Sequence, residues 1–188
     1  MIVANWKCNG SKAMINEWTN NFLTNYIEMK KTFIGIAPPS IYIKSILETK
    51  LSKLKEINVG SQDIDISSGA RTGAISSEMI LDFDCKFSII GHSERRQFFN
   101  EKNEEIKQKI SNIANKTLTI LCVGETEGEN KNDQTKDVLK RQLEVIRDIK
   151  FNDSLVIAYE PVWAIGTGNT PTPDKINEIH KFIKDVVQ

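Results

Sequence analysis

The chain has 188 residues, with 39% hydrophobic and 27% charged side chains, and its 25 Lys plus Arg balance 25 Asp plus Glu. That length suits one domain, expected over residues 1–188. The even charge leaves no global field drawing the chain to nucleic acid or to an acidic membrane, and argues against both as partners.

Short apolar runs alternate with stretches of helical period along the whole sequence. The predicted strands are 2–6, 33–37, 58–62, 87–91, 118–123 and 155–159. They are β-branched or apolar with little polar alternation, as in parallel strands covered on both faces. The predicted helices are 13–29, 41–54, 77–81, 103–115, 135–148 and 173–187. The last begins with Thr172 as a cap, Pro173 in the first turn and Asp174 at the positive helix end. Such β-α units in succession imply a parallel α/β sheet with right-handed crossovers. An open doubly wound sheet and a β/α barrel both fit, and periodicity does not separate them.

Cys8, Cys85 and Cys122 are widely spaced with no Cys-x-x-Cys pair, which reads as buried or partly buried thiols in a reducing compartment. The first seven residues lack the apolar core of a signal peptide. No apolar run approaches the ~18 residues of a membrane span. The expected location is the cytoplasm.

Polar residues gather just after the strands, at carboxyl ends that share one face in a parallel α/β fold, where ligands bind. Strand one leads into Asn5-Trp6-Lys7, strand four into Gly91-His92-Ser93-Glu94-Arg95-Arg96, and strand five into Gly124-Glu125. Strand six leads into Tyr159-Glu160-Pro161 and on to Gly166-Thr167-Gly168. Singly, each has an ordinary explanation: a solvated lysine, a structural histidine, an ion-paired glutamate, a plain glycine loop. Together they place a cation, an imidazole and a carboxylate on one rim beside a glycine-containing loop. That set suits proton transfer on a small anion, with Lys7 holding the anion, Glu160 as general base and His92 polarising a carbonyl. No His/Cys/Asp cluster has metal spacing and no dinucleotide or Walker fingerprint appears, so neither metal nor organic cofactor is expected.

Asn-Trp-Lys with a following Asn-Gly, then Gly-His-Ser-Glu-Arg-Arg, then Tyr-Glu-Pro-Val-Trp-Ala-Ile-Gly-Thr-Gly, resembles the triosephosphate isomerase family in order and spacing across essentially the whole chain. The resemblance implies a TIM (β/α)8-type barrel, here with about six β/α units. It also implies interconversion of dihydroxyacetone phosphate and D-glyceraldehyde 3-phosphate through an enediol(ate). Asn5 and Lys7 would contact the phosphorylated three-carbon sugar, His92 would be a neutral electrophile and Glu160 the base. Glu94 would support the site from behind. A histidine kept neutral by a helix N-terminus is an established pattern in this family, and Ser93 is the expected cap of a short helix after His92. Pro161, Val162, Trp163, Ala164, Ile165, Gly166, Thr167 and Gly168 match the family's lid, with a backbone N–H near Gly166 reaching the phosphate.

Residues 69–74 match a loop that inserts into a partner subunit in relatives, with Thr72 at its tip and Gly73 beside it. A homo-oligomer is therefore expected, with Cys8 buried near its interface. Arg71 and Ala74 replace an aromatic and a glutamate common in relatives, and Asn169 and Pro171 alter the lid's second hinge. The sequence stops at Gln188, whereas such a barrel has eight strands and typically ~250 residues. The family's phosphate-binding stretches after strands seven and eight are absent. The resulting expectations are weaker phosphate binding and strand edges open to association, or six strands closing in a different way. The alternative function is a weakly active or silent relative serving as a binding or assembly module.

Overall fold

A computed structural model describes residues 1–29 and 31–188. Among them, β1 (Ile2–Asn5), β2 (Ile34–Ala37), β3 (Ile57–Ser61), β4 (Phe87–Ile90), β5 (Leu118–Val123) and β6 (Leu155–Tyr159) form one sheet in chain order. Every neighbouring pair is parallel, from Ile2 opposite Ile34 to Val123 opposite Tyr159. The observed strands fall within one or two residues of the predicted ones.

The sheet curls, and the packing of its inner face shows it. Val3, Ala37, Phe87, Ile89, Ile120 and Val156, drawn from β1, β2, β4, β5 and β6, meet in one small apolar cluster. In a flat sheet β1 and β6 lie five strand spacings apart, roughly 24 Å. Their side chains share a cluster only because the sheet bends around it. Phe87 fills much of this interior, and Gly35 and Gly60 make room for its ring. A Cβ on Gly60 would sit 2.5 Å from both a ring carbon and the carbonyl oxygen of Phe87. The second periodic set, including Ile36, Val59, Ile90, Leu121 and Val123, faces outward and packs under the helices. This is the wall of a TIM-type α/β barrel with six of its strands in place.

The covering helices are α1 (Lys12–Asn25), α2 (Ile43–Leu47), α3 (Ser77–Asp82), α4 (Ser93–Phe98), α5 (Asn103–Ile113), α6 (Glu127–Lys131), α7 (Thr135–Leu143) and α8 (Pro173–Val187). The expectation for α8 holds to the residue: the Thr172 hydroxyl accepts from the Lys175 N–H at 3.3 Å and Pro173 opens the helix. Two long predicted helices are broken instead. In the 41–54 stretch, the Thr49 hydroxyl donates to Ile46 O at 2.7 Å and accepts from Leu51 N–H at 3.3 Å, ending α2 and starting a 3-10 turn. The 135–148 stretch gives way to 3-10 geometry at Glu144. The first helix stops at Asn25, short of 29, where Tyr26 turns extended and its hydroxyl donates to Glu56 at 3.1 Å. No helix among the described residues is long and apolar enough to cross a membrane.

Candidate active site

Lys7 leaves β1 in a left-handed backbone conformation, φ 51°, uncommon for a residue with a Cβ. Two side chains hold it there. The Asn5 carboxamide oxygen accepts from the Lys7 N–H at 2.9 Å, and the Gln62 amide donates to Lys7 O at 2.9 Å and to Ala37 O at 2.8 Å. The ammonium then reaches Glu94 Oε1 at 2.7 Å. Cys8, next in the turn, is exposed on the single chain.

His92, not Ser93, is the N-cap of α4. Its Nδ1 accepts from the Glu94 N–H at 3.2 Å, so that nitrogen carries no proton and the proton resides on Nε2. Nε2 lies 3.0 Å from Glu160 Oε1 and donates to it. The helix start thus fixes both tautomer and aim of the ring. The Ser93 hydroxyl, expected to cap, is buried with no partner, while the Ser93 backbone N–H donates to Glu160 Oε2 at 3.2 Å. Burial pushes the Glu160 carboxyl up, but hydrogen bonds from His92 and Ser93 outweigh it and hold the group below the usual glutamate range.

Glu160 is placed by β5 as much as by β6. Its N–H donates to Val123 O at 2.7 Å, and a Cβ on Gly124 would fall 1.9 Å from its carbonyl oxygen. Gln142 on α7 brackets Gly124, accepting from its N–H at 2.8 Å and donating to its carbonyl at 3.1 Å. Next to it, Glu125 is fully buried and takes the Tyr159 hydroxyl at 3.1 Å and the Trp163 indole N–H at 2.8 Å. Burial, with Glu125 beside it, raises the Tyr159 phenol, which stays protonated as the donor.

The segment after Glu160 leaves β6 at Pro161, forms a 3-10 turn at Val162–Ala164, and runs through exposed Gly166 and Gly168, both with positive φ. A cavity of about 530 Å³ lies beneath it, lined by Ser93, Cys122, Gly124, Glu160, Trp163 and Thr167 among others. It borders Glu160 and the segment after it but neither Lys7 nor His92.

The structure therefore brings Asn5, Lys7, His92, Glu94 and Glu160 together on one rim. Glu94 sits between Lys7 and His92 rather than behind them. It leaves Thr72 and Gly73 apart, in an exposed loop whose Arg71 pairs with Asp65. No sequence motif marks a task for Gln62, Gly124 or Glu125. The inward phase of 58, 60 and 62 along β3 was the available signal for Gln62. Nothing local marks Gly124 as a point of close backbone approach.

The chain matches the family model described as Triosephosphate isomerase over residues 1–188. It is 40% identical over 190 aligned residues to the triosephosphate isomerase of Klebsiella pneumoniae, covering 98% of this chain and 74% of that protein. The same figures hold for the triosephosphate isomerase of Salmonella newport (strain SL254). The chain belongs to the triosephosphate isomerase family.

Proposed function

We propose that this rim interconverts dihydroxyacetone phosphate and D-glyceraldehyde 3-phosphate by proton transfer through an enediolate. The observation that carries the reading is the 3.0 Å approach of His92 Nε2–H to the Glu160 carboxylate, beside the Lys7 ammonium. A base and a neutral donor are thereby matched across one small space. Substrate entry would place its carbonyl oxygen on Nε2 in place of Glu160. The freed carboxylate takes the proton from the hydroxyl-bearing carbon, and the electron pair moves to give an enediolate. His92 moves the proton between the two oxygens, and Glu160 returns its proton to the neighbouring carbon, so no atom is gained or lost. Lys7 supplies positive charge for the phosphate and the developing oxyanion.

The Glu160 carboxyl, held low, is ionised and able to act as base at neutral pH. Asn5 contributes through the Lys7 turn, and the lid residues, Gly166 included, would enclose the intermediate. The homo-oligomer belongs to this reading too, with Thr72, Gly73 and Cys8 on its interface, and light scattering at high concentration tests it by mass.

A coupled assay of glyceraldehyde 3-phosphate isomerisation tests the function, with Glu160→Gln as the blank. Loss of about 10²- to 10⁴-fold in kcat is expected from removing a general base. Equal rates in both proteins remove Glu160 from the mechanism. Absence of turnover in a folded chain favours the binding or assembly module instead.

A further inference from the structure

A buried cluster of four charges lies beside the rim and takes no part in the steps above. Lys109 on α5, 5% exposed, reaches both Asp63 carboxylate oxygens at 2.9 Å and also contacts Glu101. Arg95 Nε on α4 lies 2.9 Å from Asp63 Oδ2 and 3.3 Å from Glu101 Oε1. Glu101 Oε2 is buried without a partner. Buried ion groups of this kind contribute little net stability, because desolvation offsets their attraction. What they do fix is relative position.

The position they fix is one residue away from the site. Asp63 follows Gln62, which holds the Lys7 backbone; Arg95 follows Glu94, which holds the Lys7 ammonium. The Asp63–Arg95 pair therefore ties together, one step along each chain segment, the two residues that grip Lys7. Lys7 needs that grip, since a positive φ persists in a non-glycine residue only where its surroundings impose it.

We propose that Asp63 is a positioning residue for Lys7: its carboxylate, drawn to Arg95 and Lys109, sets the spacing between Gln62 and Glu94 and so holds the ammonium where an anionic substrate meets it. The proposal takes the identity of that anion from the isomerase reading, but its geometry does not depend on it.

The charged groups facing Asp63 are Lys109 from α5, Arg95 from α4 and Glu101 from the turn between them. Asp65, on its own loop, is taken up by Arg71. A cleft of about 270 Å³ lined by Gln62, Asp63, Gly73 and Arg95, among others, gives solvent protons access to the pair. Burial raises the Asp63 carboxyl to about 6 against the pull of Lys109 and Arg95. The tie is thus charged at about pH 8 and loses its charge as pH falls through about 6.

Asp63→Asn keeps the shape and removes the charge. At about pH 8 the variant should show a KM for the triose phosphate raised about fivefold, with kcat changed less. The variant-to-wild-type KM ratio should fall toward one below about pH 5, where both proteins are uncharged at this position. Using the ratio cancels titration of the substrate phosphate. A ratio that stays flat with pH, or an unaltered KM, overturns the proposal.

A second readout needs no turnover. The ¹³Cε resonance of Lys7, assigned with Lys7→Arg, should show a step with midpoint near about 6 in wild type and none in Asp63→Asn. The step in a chain without isomerase activity sinks the functional reading and keeps the positioning role. Turnover without the step sinks the positioning role alone. Should Asp63→Asn fail to fold, the wild-type titration decides by itself.

Discussion

Strands β4 and β6 lead into His92 and Glu160, the two groups proposed to handle the proton, and they are held in contrasting ways. All four residues of β4 are buried, with β3 and β5 bonded on either side. Every residue of β6 is only half-buried, and β5 is its one strand neighbour among the described residues. His92 therefore rises from a strand fixed by packing. Glu160 rises from a strand fixed at its end by polar bonds: Glu160 N–H to Val123, Val162 N–H to Glu125, and the Tyr159 and Trp163 side chains on Glu125. Precision in a site does not require a deep core under every element. A few directional bonds at a strand's exit do the same for a half-buried strand.

Substitutions that attack each support separately break or sharpen this contrast. Phe87→Ala, which empties the interior between Gly35 and Gly60, should destabilise the fold by about 3–5 kcal/mol in denaturant melts. Gly124→Ala is aimed at the polar fastening. Its methyl would strike the Glu160 carbonyl, so a stability loss of about 3 kcal/mol should accompany a larger fall in kcat than Phe87→Ala causes. Undiminished kcat in folded Gly124→Ala would mean that β6 places Glu160 without help from β5.

The charged cluster near β4 gives an effect of opposite sign. Asp63 binds its proton more tightly folded, near about 6, than unfolded, where the ordinary value is 3.8. Its contribution to stability is complete below the unfolded value and is lost as pH rises through about 6. Asp63→Asn removes that loss, so above pH 6 the variant should gain about 2–3 kcal/mol relative to wild type, and nothing near pH 3. Thermal melts across pH read this directly. A variant less stable at pH 8 would give Asp63 a structural task and remove the trade of stability for placement. Last, Ile157→Ala on half-buried β6 should cost only about 1 kcal/mol. A loss matching that of Phe87→Ala would erase the contrast between the strands.

The sequence by itself determined where the strands lie along the chain and that polar residues, Lys7, His92 and Glu160 among them, gather just past their carboxyl ends. Apolar runs, cap residues and motif spacing are local properties, written in consecutive residues, and α8 with its Thr172 and Pro173 start was readable for that reason. Only the tertiary structure decided the rest. That His92 rather than Ser93 caps α4, with its other ring nitrogen meeting Glu160 from another strand, is a matter of three-dimensional arrangement. That Gly124 must lack a side chain depends on a carbonyl 36 residues later in the chain. The curl that gathers β1 through β6 around Phe87, and the pairing of Asp63 with Arg95 across β3 and α4, arise from contacts between distant segments. Close approach and charge pairing act through space, and periodicity along a chain carries no record of which distant group will arrive.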